Sequence, residues 1–273
     1  MSEKVYANYI YDSCYSLEYG DLFLVFDYAR GILDIPESKH SLFFVTENDE
    51  KAYTTEIFNL EKLKSIDYII NESVRNLKYQ DNVIYLNKDE LGMKELKDLY
   101  NRQEVKLVKE GDFLNFKLAD KNLKVKCFSL DRSSLAYLIR IDSLVIFYGG
   151  HINFDTIDDE AYLDLLDYLE EEKIDIIFLP IYPLDEKSLA YLDSLVKVSE
   201  SQIFFPTNIG GREEISKEFK DKYKNKALNI RQIKKLNEEI EIEVDWFSFK
   251  SLVKYNKEEW DGKNKKISKY GAS

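Results

Sequence analysis

The sequence predicts an α/β protein in which β-sheets carry helices on their outer faces. One observation is a long series of short apolar segments up to about residue 147, each bounded by polar turn residues. Another is the alternation of helical and strand-like segments in the last third of the chain. The composition agrees, since 20 tyrosines and 16 phenylalanines accompany only 10 glycines and 4 prolines. That balance is typical of regular elements joined by short connections.

The first third of the chain is rich in strand patterns. Residues 5–11 and 22–27 are aromatic and β-branched runs on either side of a turn signal at Gly20, which predicts a β-hairpin. A helix is predicted to begin at Thr54, because threonine is a good N-cap and apolar residues follow at helical spacing. The apolar face of that helix comprises Ile57, Leu60 and Leu63. Further strands are predicted at 41–45, 66–70 and 83–86.

The middle of the chain predicts a meander of strands that each have one solvated face, and we expect the strands of the first two thirds to be mostly antiparallel. The predicted strands are 105–108, 113–118, 123–128, 136–141 and 144–147. The last third predicts helices at 158–173, 185–198 and 212–224, and strands at 174–179, 202–205 and 239–249.

Charge and apolar content limit the class of protein. The formal net charge of -12 argues against binding of nucleic acid over a broad surface. The longest apolar run, 174–183, is shorter than the ~20 residues that cross a bilayer, and no signal-peptide pattern is present. Cys14 and Cys127 are predicted to be buried thiols in a reducing compartment. We therefore expect a cytoplasmic protein with no membrane contact, formed by a domain at 1–249 and a lysine-rich polar tail at 250–273.

Five segments in a fixed order resemble hydrolases of the metallo-β-lactamase fold, in particular the branch near the ascorbate-phosphate lactonases. Asp27, Tyr28, Arg30 and Gly31 match a turn that follows a strand in that branch. The matching segments are 9–31, 41–60, 128–154, 174–183 and 203–209. The resemblance implies a four-layer αββα sandwich.

The same resemblance places the metal-binding motif of these hydrolases on residues that differ from it. Glu47 and Asp49 stand at the two leading histidine positions of the metal loop, and Lys51 stands at the aspartate position. His151 replaces a bridging aspartate, and Asn208 replaces the last histidine. The chain has only two histidines, so a site with four or five of them cannot form. The resemblance therefore implies a degenerate metal site, and we expect no cofactor.

The preferred hypothesis is a pseudoenzyme that binds a small molecule or a protein partner. Its pocket is predicted where the loops at 47–52, 131–134, 148–154 and 206–212 converge. The candidate binding residues are Glu47, Asp49, Lys51, His151 and Asn208, with Asp27, Arg30, Ser134 and Tyr148 as further pocket residues. The alternative is a phosphoester or lactone hydrolase in which Glu47, Asp49 and His151 hold manganese, magnesium or zinc. A role in assembly is a third hypothesis.

Two other patterns in these loops have both a functional and a structural interpretation. His151 with Ser133 or Ser134 suggests a hydrolytic triad, but the sequence lacks a G-x-S-x-G turn, and a histidine that fills the cavity is the simpler interpretation. The segment 208–212 could hold a phosphate or carboxylate on its free amides and Arg212 before a helix, or it could be an ordinary helix entry.

Overall fold

The computed structural model describes residues 4–60, 65–74, 77–80, 83–88, 92–95, 105–131, 133–182, 185–199, 201, 203–224 and 229–243. Strand β1 is Lys4–Tyr11, and the short helix after the fourth strand is a 3-10 helix at Thr55–Asn59. None of the helices in these ranges is long and apolar enough to cross a membrane.

Seven strands form the first sheet, which is mixed. In sheet order they are β16 (Glu238–Glu243), β1, β2 (Cys14–Tyr19), β3 (Leu22–Phe26), β4 (His40–Val45), β5 (Ser65–Asn71) and β9 (Val105–Val108). The strands from β16 to β3 are antiparallel, whereas β3, β4, β5 and β9 are parallel.

Six strands form the second sheet, which is also mixed. In sheet order they are β10 (Phe113–Leu118), β11 (Lys121–Phe128), β12 (Ala136–Ile141), β13 (Leu144–Tyr148), β14 (Ile176–Pro180) and β15 (Ile203–Thr207). The strands from β10 to β13 are antiparallel, and β13, β14 and β15 are parallel. A small antiparallel sheet contains β6 (Leu77–Gln80), β7 (Val83–Lys88) and β8 (Gly92–Glu95).

Three α-helices follow in the described part of the last third: α1 (Asp159–Glu170), α2 (Glu186–Ser199) and α3 (Glu213–Lys222). Helix α1 begins at Asp158, whose carboxylate accepts hydrogen bonds from the N–H groups of Glu160 and Ala161 at 3.1 Å each. Such an N-cap satisfies amides that have no partner inside the helix. The buried face of α1 carries Tyr162, Leu165 and Leu169 at helical spacing, as predicted.

Aromatic side chains fill the space between the two large sheets. The ring of Phe178 on β14 lies 4.9 Å from that of Tyr15, 5.0 Å from that of Phe205 and 5.8 Å from that of Phe26. Tyr15 and Phe26 belong to the first sheet, so these contacts join the sheets face to face. The opposite face of the first sheet packs a second apolar cluster against the 3-10 helix.

The strand directions correct the prediction for the first sheet. Residues 105–108 do not belong to the meander, since β9 pairs in parallel with β5. Strands β3 and β4 are almost completely buried because the sheet is covered on both faces. Their unbroken apolar runs are typical of parallel strands and could have indicated this arrangement.

Other predictions are refined by the structure. The hairpin turn at Gly20 joins β2 to β3, and the sequence reasoning missed β2 itself. The predicted helix after Thr54 is a 3-10 helix of five residues where it is described, and Leu63 lies outside the described residues. The end of the predicted strand 239–249 and the tail at 250–273 also lie outside them, so the domain boundary stays a prediction.

Candidate functional site

A cavity of about 580 Å³ lies at one edge of the sandwich, beside the loops that follow β3, β4, β13 and β15. It is lined by Asp12, Arg30, Glu47, Asp49, Lys51, Ser133, His151, Ile152, Asn153, Phe154, Asp155, Tyr182, Ser188, Asn208, Gly210 and Arg212. Each of the four loops that the sequence singled out contributes to this lining. The pocket candidates Asp27, Ser134 and Tyr148 lie beneath the lining as fully or almost fully buried residues.

Asp27 is buried beneath the cavity and forms hydrogen bonds to residues around it. Its Oδ1 accepts the Thr46 N–H at 2.8 Å, and its Oδ2 accepts the Thr46 hydroxyl at 2.7 Å. The Tyr148 hydroxyl lies 2.8 Å from Asp27 Oδ2 and 2.9 Å from the carbonyl oxygen of Ser13, so it can donate to either. Burial raises the pKa of Asp27, although the nearby His151 and these hydrogen bonds oppose the rise. The network holds the start of the loop after β4 against β3 and β13.

His151 lies between two carboxyl groups. Its Nδ1 is 3.5 Å from Glu47 Oε1, and its Nε2 is 3.9 Å from Asp27 Oδ2. Within the described structure, Nε2 is buried and has no hydrogen-bond partner. Gly150 permits this position, because a Cβ there would lie 2.7 Å from Thr46 Cγ2 and 2.8 Å from the Leu135 carbonyl oxygen.

The pKa of the Glu47 carboxyl group lies well above its ordinary value. Burial is the largest cause that raises its pKa, and the charges of Asp27, Asp49 and Asp131 add to the rise, whereas Lys51 opposes it. The resulting pKa is about 8. Glu47 is therefore mostly protonated at neutral pH, so the inner wall is less negative than its residue types suggest.

Asp131 organises the loop before β12, and the sequence reasoning did not single it out. It accepts hydrogen bonds from the N–H groups of Ser133, Ser134 and Asn153 at 3.0, 2.9 and 2.9 Å. The hydroxyls of both serines also bond to Asp131, at 3.0 and 3.2 Å, which uses them in the turn instead of placing them on His151. An aspartate followed by two serines is typical of such a turn, and that signal was available.

The loop before α3 has its amides satisfied by the chain itself. The N–H of Gly210 donates to Asp12 Oδ1 at 2.8 Å, and that of Asn208 donates to Ser13 Oγ at 3.1 Å. The N–H of Gly211 donates to the Tyr9 hydroxyl at 3.2 Å. A carboxylate from the β1–β2 turn thus takes the place that an anion on these amides would need, which favours the interpretation of the segment as an ordinary helix entry.

Two arginines line the cavity on aromatic supports. The guanidinium carbon of Arg30 lies 4.1 Å from the centre of the Tyr11 ring, and that of Arg212 lies 4.5 Å from the centre of the Tyr182 ring. Arg30 also donates to the Tyr11 hydroxyl at 2.8 Å. Stacking of this kind holds a guanidinium in place and leaves its edge available for hydrogen bonds.

A divalent metal fits this set of residues poorly. Across the residues that the structure describes, no group of three or more histidine, cysteine, aspartate or glutamate side chains is arranged to hold a metal ion. Lys51 brings a positive charge to the loop that carries Glu47 and Asp49. Ionised carboxylates and neutral imidazoles are what such an ion requires.

Comparison with solved structures defines the fold. Igni18, a metallo hydrolase from the archaeon Ignicoccus hospitalis, matches with a TM-score of 0.57 and 14% identity, over 89% of this chain and 100% of that chain. YhfI from Bacillus subtilis, a metallo-β-lactamase fold protein, matches with a TM-score of 0.55 and 12% identity, over 88% and 100%. Yeast PDE1 matches with a TM-score of 0.57 and 9% identity, over 89% and 100%.

The two mixed sheets and their helices form an α/β sandwich. This chain has the metallo-β-lactamase fold, which confirms the predicted fold class. No protein-family model matches its sequence, and no curated protein sequence matches it.

Proposed function

We propose that this chain is a non-catalytic member of the metallo-β-lactamase fold that binds a small polar molecule in the retained cavity. The position of His151 carries the proposal. Its imidazole lies between Asp27 and Glu47, in the space where a cation held by those two carboxyl groups would have to sit. The imidazole is 3.5 Å from Glu47 Oε1 and 3.9 Å from Asp27 Oδ2, so it occupies that space itself.

The dimensions of the cavity support a small-molecule ligand. Pockets for small ligands measure roughly 300–1,000 Å³, and this one measures about 580 Å³. Its lining combines carboxyl, amide, imidazole and guanidinium groups with few apolar side chains, which suits a polar ligand. The free, buried thiols of Cys14 and Cys127 agree with a reducing compartment such as the cytoplasm.

The metal content of the purified protein tests the proposal that it is not a metal-dependent enzyme. We expect the purified protein to stay substoichiometric in metal by elemental mass spectrometry, also after incubation with manganese, zinc and magnesium. Phosphoester and lactone substrates should not be turned over under the same conditions. Stoichiometric metal that Asp49→Ala removes, together with turnover, would instead establish the hydrolase.

Ligand binding tests the retained cavity. A small molecule that binds the folded state raises its melting temperature in proportion to ligand concentration and affinity. Ser133 is exposed at the rim, so Ser133→Trp should fill the cavity while leaving the core intact. We expect ligand-induced stabilisation of the natural chain and none of Ser133→Trp, with circular dichroism confirming that both are folded.

A further inference from the structure

We propose that the ligand of this cavity is a small dianion, a molecule that carries two negative charges on oxygen atoms and is held by Arg30, Lys51 and Arg212. This inference rests on the proposed binding function and specifies its ligand. All three cations line the same cavity. The same lining also carries four carboxyl groups, on Asp12, Glu47, Asp49 and Asp155.

None of the three cations is neutralised by the described part of the chain. Within it, no carboxylate lies within ion-pair distance of Arg30, Lys51 or Arg212, whereas Arg140, Lys39 and Lys217 on other surfaces do have such partners. Their charges are therefore available to a ligand.

The arginines are positioned before any ligand arrives. Arg30 stacks on Tyr11, and Arg212 stacks on Tyr182 while its Nε donates to the Ile209 carbonyl oxygen at 3.1 Å. Tyr11 also lies close to the loop that carries Arg212, because a Cβ on Gly211 would come within 3.1 Å of the Tyr11 ring. Two fixed guanidinium groups on one wall suit an oxyanion, since each can donate paired hydrogen bonds.

Within the described structure, none of the acidic residues of the lining forms an ion pair with these cations. Asp12 already accepts the Gly210 N–H, and Asp49 accepts the Lys51 N–H at 2.8 Å. Glu47 faces the imidazole of His151, with its Oε1 3.5 Å from Nδ1. A dianion such as a phosphate-type group or a dicarboxylate balances three cations better than a single carboxylate does.

Binding of defined anions tests the inference. Sulfate and malonate serve as tetrahedral and dicarboxylate dianions, acetate as a monoanion and ethylammonium as a cation, each followed by calorimetry and by thermal unfolding. We expect stabilisation by sulfate or malonate that weakens as ionic strength rises, and which of the two binds tighter identifies the class of dianion. Acetate binding that equals both dianions, or a preference for ethylammonium, would refute the inference.

Charge-removing variants locate the site. Arg30→Gln and Arg212→Gln should each weaken dianion binding about tenfold or more, because hydrogen bonds to a charged group are the strong ones. Lys51→Gln should also weaken it. The matched control is Lys124→Gln, which removes one charge from an exposed position on β11 outside the cavity and should leave binding unchanged.

Failure of this inference is distinguishable from failure of the proposed function. If dianions do not bind while a neutral or cationic compound binds the natural chain and not Ser133→Trp, the cavity binds a ligand and the dianion assignment is wrong. If dianions bind equally to Ser133→Trp, the anion site is elsewhere and the assignment is also wrong. Metal-dependent turnover would refute the non-catalytic function alone, because it leaves the variants' effects on dianion affinity unchanged.

Discussion

Asp27→Ala is expected to lower the free energy of unfolding by about 3 kcal/mol. The substitution leaves the buried N–H of Thr46 without a partner, which costs about 1–3 kcal/mol. It also places alanine at a backbone φ of 45°, a left-handed conformation that aspartate tolerates better because its short polar side chain can hydrogen-bond locally. Urea unfolding followed by circular dichroism measures the loss.

Asp27→Asn is the matched control for that experiment. Asparagine adopts left-handed conformations more readily and keeps an acceptor for the Thr46 N–H. The Tyr148 hydroxyl can then donate to the Ser13 carbonyl oxygen, which lies 2.9 Å away. We expect Asp27→Asn to lower the free energy of unfolding clearly less than Asp27→Ala does. Equal losses of unfolding free energy in both variants would show that the hydrogen-bond network does not stabilise this region.

Glu47→Gln is expected to stabilise the protein at alkaline pH. The folded state raises the pKa of Glu47 from 4.5 to about 8, so the folded protein binds this proton more tightly than the unfolded chain does. The stability that Glu47 contributes is fully present below pH 4.5 and is lost progressively as pH rises to about 8. The uncharged glutamine avoids that loss, which is on the order of 2 to 4 kcal/mol above pH 8.

The measurement is the difference in unfolding free energy between the natural chain and Glu47→Gln as a function of pH. Unfolding free energies of the natural chain and of Glu47→Gln should diverge between about pH 5 and pH 8 and run parallel above it. Asp49→Asn is a useful comparison on the same loop, because Asp49 is exposed and its removal should change stability much less. A constant difference across the whole range would contradict the raised pKa.

Sulfate binding offers a second readout of the same carboxyl group. The charge of sulfate does not change over this range, so any pH dependence of its affinity comes from the protein. Ionisation of Glu47 above about pH 8 adds a negative charge to the cavity and should weaken sulfate binding, and Glu47→Gln should abolish that part of the dependence.

Much of the site was predictable from the order of the segments. Glu47, Asp49, Lys51, His151 and Asn208 were singled out from three separate loops, and the fold brings all five to one cavity. The loops converge because they follow strands of a known fold, so position in the order of segments implies position in space. That these residues bind a ligand stays a prediction.

What the sequence reasoning missed depends on contacts between distant residues. The carboxylate of Asp12 satisfies an amide of Gly210, and nothing near either residue in the sequence indicates the other. The stacking of the two arginines on tyrosine rings could not be predicted for the same reason. The parallel pairing of β9 with β5 was missed because a four-residue strand has too short a pattern to reveal its direction.

The hydrogen bonds between the β1–β2 turn and the loop before α3 have a consequence for the order of folding during synthesis. Ser13 and Asn208 are 195 positions apart, and Asp12 and Gly210 are 198 positions apart. At ribosomal speeds of about 5–20 residues per second, roughly 10–40 seconds pass between synthesis of the turn and synthesis of the loop before α3. The cavity therefore cannot be completed on a nascent or truncated chain, and ligand binding would report that the chain has been made at least through this loop and has folded.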